Sequence, residues 1–131
     1  VFQIRLALPA DAAALAALAE STFRDAFAGQ NRAADIDAYC AEAFAPEVQA
    51  RELVDGAATT LLVEGDRALI GYAQLWFAHD GAAELRRFYV TRALHGSGLA
   101  QQLMQRVLDE ARSRGAGAIT LGVWEENPRA I

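Results

Sequence analysis

Phe88-Tyr89-Val90-Thr91-Arg92-Ala93-Leu94-His95-Gly96-Ser97-Gly98-Leu99-Ala100 is the stretch on which the fold of this chain turns. An apolar strand runs into a turn bearing two glycines, and the turn opens an amphipathic helix. On that helix Leu99, Leu103, Val107 and Ala111 recur at helical spacing. Gly96 and Gly98 lack a Cβ, so the backbone can turn tightly and approach a ligand closely. The first N–H groups of the helix have no intrahelical partner, and its partial positive end suits a phosphate or pyrophosphate. A plain strand-to-helix connection would use the same glycines. The functional expectation is a loop that holds a phosphorylated cofactor.

Two familiar phosphate loops fail on residue type or position. A P-loop needs a Lys-Ser/Thr pair after its second glycine, and all 12 basic residues here are arginine. The dinucleotide fingerprint needs a third Gly or Ala where this chain has Gln102 after Gln101. It also follows the first strand of a βαβ unit, whereas hairpin-like strands come first here.

Outward from the glycine turn, Phe2 to Leu8 reads as a strand with Phe2, Ile4 and Leu6 on one face. Pro9 suits a helix start, Asp11 adds favourable charge, and Ala10 to about Phe27 is helical, with Leu15, Leu18 and Phe23 on an inner face. Asp35 to Phe44 and Pro46 to Val54 are further helical segments, divided at Pro46. Strands are expected at Thr59–Val63, Ala68–Phe77, Ala83–Val90 and Ile119–Trp124, and Asn127-Pro128 looks like a helix start. The crossover from the strand ending at Val90 to the strand ending at Trp124 pairs parallel strands.

At 131 residues, with 53% hydrophobic and 22% charged residues, the chain has the composition of one soluble globular domain. A net charge of −5 disfavours a nucleic-acid partner and tolerates a cationic amine. The single cysteine, Cys40, forms no internal disulfide and fits a buried, inert helical position better than a nucleophile. His79 and His95 stand in separate turns, so no metal is expected. No apolar run reaches membrane-spanning length and no signal peptide precedes the first strand, so a membrane partner is not expected and the location expected is cytoplasmic.

In His95-x-x-Gly98-x-Ala100 the chain resembles the GNAT superfamily of acetyl-CoA-dependent N-acetyltransferases, whose pattern is Gln/Arg-x-x-Gly-x-Gly/Ala after a strand ending in an apolar triplet. The two small positions match, and the first departs to His. Thr22-Phe23-Arg24-Asp25-Ala26-Phe27, Gln30-Asn31, Ile36-Asp37-Ala38-Tyr39 and Leu121-Gly122-Val123-Trp124-Glu125-Glu126-Asn127 further resemble the bacterial spermidine/spermine acetyltransferase branch.

The resemblance implies an α/β (α+β) fold: a mixed, mostly antiparallel sheet with helices on both faces, ordered β-α-α-β-β-β-α-β. It also implies a single N-acetyltransferase domain over residues 1–131, truncated before a C-terminal helix and closing strands. A sheet edge left bare in that way would be covered by a second copy, as a homodimer. Acetyl-CoA is the implied co-substrate and a small-molecule primary amine the acceptor, with spermidine or spermine preferred. A protein N-terminus, an amino-sugar, or acyl-CoA binding without catalysis are the alternatives.

The implied cofactor contacts are Phe88, Tyr89 and Val90 on the strand and His95, Gly96, Ser97, Gly98, Leu99, Ala100 and Gln101 in the loop and first turn, together with Asn127. Asn127 before Pro128 would serve equally as a helix cap. Glu84 is the implied general base, acting through water, although an ion pair with Arg86 on the same strand face would explain both charges. The family's usual acid, a tyrosine, falls past Ile131 by spacing. Tyr39, Asp35, Asp37 and Glu42 lie on helical segments that overhang the acceptor site in this family; a solvated helix face is the plainer reading of the acidic ones.

Overall fold

The computed structural model describes residues 2–27, 29, 32–91, 94 and 96–121. In chain order its elements are β1 (Gln3–Leu6), a 3-10 turn (Pro9–Asp11), α1 (Ala12–Phe27), α2 (Ala33–Ala43), α3 (Pro46–Leu53), β2 (Ala58–Glu64), β3 (Leu69–Phe77), β4 (Ala83–Val90), α4 (Leu99–Ser113) and β5 (Ile119–Leu121). Three helices, not two, therefore separate the first two strands. The expected strand to Trp124 is described as far as Leu121; the helix start at Asn127 lies outside the described residues. The chain divides into two compact units, Val1–Ala7 with Gly56–Ile131 and Leu8–Asp55.

The first unit is a five-stranded sheet in the order β1-β2-β3-β4-β5. The first three pairings are antiparallel, and β4 pairs β5 in parallel, as the crossover through α4 requires. The β2–β3 turn closes through a Gly65 N–H donating to the Ala68 carbonyl at 2.8 Å. At the β3–β4 turn, Asp80 Oδ1 accepts the Ala82 N–H at 2.9 Å.

One face of the sheet is built to receive α4. Leu61, Val63, Ala73, Leu75, Ala83, Leu85, Phe88 and Val90 pack there with Leu99, Leu103, Val107 and Ala111. The helical spacing in the sequence is thus the buried stripe of α4, and burying each of its large aliphatic side chains contributes about 1.5–3 kcal/mol. The helix ends where Arg114 leaves helical geometry. Its guanidinium donates to Thr59 Oγ1 at 2.7 Å and to the Gly56 carbonyl at 2.8 Å, and lies 4.1 Å from the Phe77 ring centroid.

Strand β4 does not keep a two-residue period. Gln74 pairs with Arg87 while the next β3 residue, Leu75, pairs with Leu85, so Arg86 is the extra residue of a β-bulge. Ala83 and Leu85 face α4 before the bulge, and Phe88 and Val90 face it after. Arg86 and Arg87 are both left off that face. Further along, β3 and β4 approach closely at Gly71, where a Cβ would lie 2.8 Å from the Tyr89 carbonyl oxygen.

In the second unit the Leu8 N–H donates to Asp11 Oδ2 at 2.7 Å, fixing the entry to α1. Pro46 occupies the start of α3 behind an extended Ala45, as its locked φ favours. The buried residues of α1 are Leu15, Ala16, Ala19, Thr22 and Phe27. Leu18 and Phe23, expected on the inner face, are half-buried. Phe23 joins an aromatic group that runs from buried Phe27 and Phe44 out to exposed Tyr39, its ring centroid 4.7 Å from those of Phe27 and Tyr39 and 5.5 Å from that of Phe44. Arg24 donates to Asp37 Oδ1 at 2.7 Å and to Glu20 Oε2 at 3.0 Å, tying α1 to α2.

Candidate functional site

The connection from β4 to α4 carries the candidate site. Gly96 and Gly98 have φ of 86° and 90°, in the left-handed region that glycine alone enters freely. A Cβ at either would meet nothing within 4 Å, so the loop surface is open at both. Ser97 sits between them with its hydroxyl already engaged: Oγ donates to the Leu94 carbonyl and accepts the Leu99 N–H at 3.3 Å. Leu99 is fully buried, so its side chain serves the core and not a ligand.

Beyond that, the Gln102 N–H donates to the Gly98 carbonyl at 3.1 Å and the helix proper begins. The Ala100 and Gln101 N–H groups have no acceptor among the described residues. The first turn of α4 contains no acidic side chain. Open glycine backbone, two amides without acceptors and the positive end of a 15-residue helix together suit an anionic group such as a pyrophosphate. His95 and Asn127, two of the expected contacts, lie outside the described residues.

Along β4 the contribution is main chain. Phe88 and Val90 bury their side chains in the core, and Tyr89 is half-buried, 6.4 Å from the Tyr72 ring. The Thr91 N–H donates to the Ile70 carbonyl on the β3 side, while the Ala83 N–H donates to Ala118 on the β5 side. Ladder alternation from these two anchors, across the bulge, directs the Phe88 N–H toward β5. The described β4–β5 pairing ends at Leu85 with Leu121. The residues of the chain that follow Leu121 lie outside the described ones.

On the sheet face away from α4, β3 and β4 place Trp76 directly opposite Glu84. Arg86 bridges them: its Nε donates to Glu84 Oε1, and its guanidinium carbon lies 5.0 Å from the Trp76 ring centroid. The Trp76 indole N–H donates to Gln74 Oε1 at 2.8 Å, and Gln74 Nε2 donates to Thr60 Oγ1 at 3.2 Å. Glu84, Arg86 and Trp76 line an open depression of about 270 Å³ with Phe77, Ala83 and Thr120 among its other walls. The ion pair of Glu84 with Arg86 that the sequence offered is present, while Trp76 and Gln74 were not singled out there. Their alignment depends on cross-strand register, which no local pattern carries.

Cys40 is buried in α2, and that burial pushes its thiol up from the ordinary value of 9.0. It is a protonated packing group, not a nucleophile. No cluster of three or more His, Cys, Asp or Glu residues fit to hold a metal occurs among the described residues. No helix among them is long and apolar enough to cross a membrane.

Comparison with known proteins bears on the fold and the family. An uncharacterized N-acetyltransferase of Mycobacterium tuberculosis is 36% identical over 124 residues, covering 92% of this chain and 77% of the relative. The PaiA N-acetyltransferase of Thermoplasma acidophilum, solved in complex with coenzyme A, superposes with a TM-score of 0.80 at 21% identity, covering 88% of this chain and 75% of that one. A ribosomal-protein-alanine N-acetyltransferase of Brucella melitensis superposes with a TM-score of 0.71 at 20% identity, covering 99% and 85%. The acetyltransferase (GNAT) family matches residues 15–131. With a glycine loop fit for a pyrophosphate, a five-stranded mostly antiparallel sheet and a family match over most of its length, this chain belongs to the GNAT family of N-acetyltransferases, for which acetyl-CoA is the acetyl donor.

Proposed function

We propose that this acetyltransferase acts on a primary amine of a small cationic molecule, a polyamine such as spermidine or spermine being the preferred acceptor. The observation that carries the reading is the continuity of β4, the glycine loop and α4. Amides for the donor's pyrophosphate lie at one end of this segment, and a carboxylate, Glu84, lies on the strand at the other. Sequence likeness to the polyamine acetyltransferase branch and the net charge of −5 support the cationic acceptor. The family match crosses both compact units, which supports treating residues 1–131 as one catalytic domain. We extend the reading to a cytoplasmic enzyme.

The chemistry sets what the residues must do. An alkylamine with a pKa near ~10.4 is protonated at neutral pH and must lose a proton before attack. Glu84 accepts that proton through water. The nitrogen then forms its bond to the acetyl carbon, and the oxygen charge that develops is met by the Phe88 N–H. The carbon–sulfur bond breaks, the acylated nitrogen gives up its second proton to water, and the departing thiolate takes up a proton from an acid that lies outside the described residues. Gly96, Gly98 and the Ala100 and Gln101 amides hold the donor's phosphates while this happens.

The Brucella neighbour's name favours a second acceptor class, a protein N-terminus. The test is acetyl transfer from acetyl-CoA to spermidine, to an alanine-terminated peptide and to an aminoglycoside under matched conditions. Turnover of spermidine well above the other two supports the proposal. Preference for the peptide or the aminoglycoside would replace it, and saturable acetyl-CoA binding with no transfer to any amine would leave only a binding module.

A further inference from the structure

We infer that the depression between Trp76 and Glu84 is a subsite for an alkylammonium group of the acceptor, and that Arg86 is its internal occupant in the absence of one. The inference rests on the amine-acceptor reading above and assigns it a place in the fold.

The two elements a cation needs are already assembled. An aromatic face attracts positive charge through its quadrupole, and a carboxylate provides a point partner. Trp76 supplies the first and Glu84 the second, directly opposite each other across β3 and β4. Both already hold a cation, the Arg86 guanidinium, which is hydrogen-bonded to Glu84 and lies 5.0 Å from the Trp76 centroid.

The aromatic wall is fixed from behind. Gln74 is almost wholly buried and spends its amide on both neighbours, accepting from the Trp76 indole at 2.8 Å and donating to Thr60 at 3.2 Å. That chain keeps the ring from rotating away when its occupant leaves. Arg86, by contrast, is exposed and stands on the bulge, the one residue of β4 without its own cross-strand partner. An exposed ion pair of this kind is worth little in water, so its exchange for another cation costs little. The open depression of about 270 Å³ leaves room for that exchange. When Arg86 swings out, Glu84 passes from the guanidinium to the incoming ammonium. The same event thus recognises the acceptor and releases Glu84 from Arg86.

The test is a titration of the full chain followed through the nitrogen-15 signal of the Trp76 indole, told apart from that of Trp124 by its loss in Trp76→Phe. Butane-1,4-diamine is the probe and butane-1,4-diol its uncharged counterpart. The diamine is expected to shift the signal saturably and the diol not at all. Arg86→Gln, which keeps length and removes the competing charge, should tighten diamine binding roughly two- to fivefold. Glu84→Gln should weaken it. Equal shifts by diol and diamine, or no saturable shift in either the native protein or Arg86→Gln, would overturn the subsite. Turnover of amines with a silent indole would remove the subsite but keep the acceptor class. A saturable indole shift without any turnover would keep the subsite and remove the amine-acetylation reading.

Discussion

Leu85 and Phe88 stand three residues apart on β4, yet both bury their side chains in the core beneath α4, because Arg86 is inserted as the extra residue of a bulge. A regular strand would send one of them outward. The bulge therefore sets which way β4 faces on each side of Arg86. Deleting Arg86 should turn Phe88 and Val90 out of the core and cost about 3–6 kcal/mol in urea unfolding, by loss of two large apolar burials. Arg86→Gly, which keeps the count, should cost under about 1 kcal/mol. Similar losses in the two variants would show that the insertion is not what orients the strand.

Gly98 separates backbone conformation from charge at the glycine loop. Gly98→Ala should destabilise the protein by about 1–3 kcal/mol through its φ of 90° while leaving acetyl-CoA binding close to native. Gly98→Asp adds a carboxylate beside the proposed pyrophosphate and should weaken binding by a further factor of about ten, or about 1.4 kcal/mol. Calorimetric titration with acetyl-CoA reads both. Equal affinities for the alanine and aspartate variants would move the phosphates elsewhere.

The β3–β4 contact at Gly71 gives a stability prediction that reaches the site. A methyl group there would lie 2.8 Å from the Tyr89 carbonyl oxygen and 3.3 Å from Val63. Gly71→Ala must push β4 away from β3 and should cost about 1–3 kcal/mol. Tyr89 adjoins Phe88, whose amide is proposed to meet the substrate oxygen, so kcat should fall with the melting temperature. A variant with native melting temperature and native kcat would show that β4 yields at no cost.

Glu84→Gln keeps a hydrogen-bonding partner for Arg86 and removes the base. At neutral pH kcat should drop about a hundredfold, and the pH–rate profile should change shape. A native profile would reduce Glu84 to a partner for Arg86 and for a bound ammonium.

Cys40 yields a pH dependence of stability. In the unfolded chain its thiol ionises above its ordinary value of 9.0, whereas burial keeps the folded thiol protonated to higher pH. The folded state thus binds the extra proton, and its advantage is complete below 9.0 and is lost as pH rises beyond it. Native protein should lose stability from pH 8 to pH 10 by more than Cys40→Ala does, as urea titrations at the two values would show. Parallel losses would mean that the thiol is not kept from water.

Much of this was legible in one dimension. The apolar spacing Leu99, Leu103, Val107 and Ala111 is the buried stripe of α4, and the glycine turn before it is the left-handed entry the loop needs. Local chemistry speaks at these points because helix period and glycine conformation are local properties. The bulge left a trace in the apolar positions Ala83, Leu85, Phe88 and Val90, whose even spacing slips by one at Arg86. That slip is visible only if an extra residue is considered. Trp76 was silent because its partner, Glu84, is eight positions away and the two meet through strand register. Leu18 and Phe23 have the right spacing for a core face, but α1 buries a stripe one step round from them, through Ala16, Ala19 and Thr22.

The Ala7 N–H donates to the Thr60 carbonyl at 2.9 Å, so the chain leaves the sheet at the end of β1 and rejoins it one hydrogen bond away in β2. Everything from Leu8 to Asp55 is an excursion between two adjacent strands. Because its two ends meet within the β1–β2 pairing, the order of strands is set by residues on either side of the excursion and not by its length. Natural selection, and equally a protein engineer, thus meets residues 8–55 as a stretch that can be varied while β1 and β2 remain neighbours.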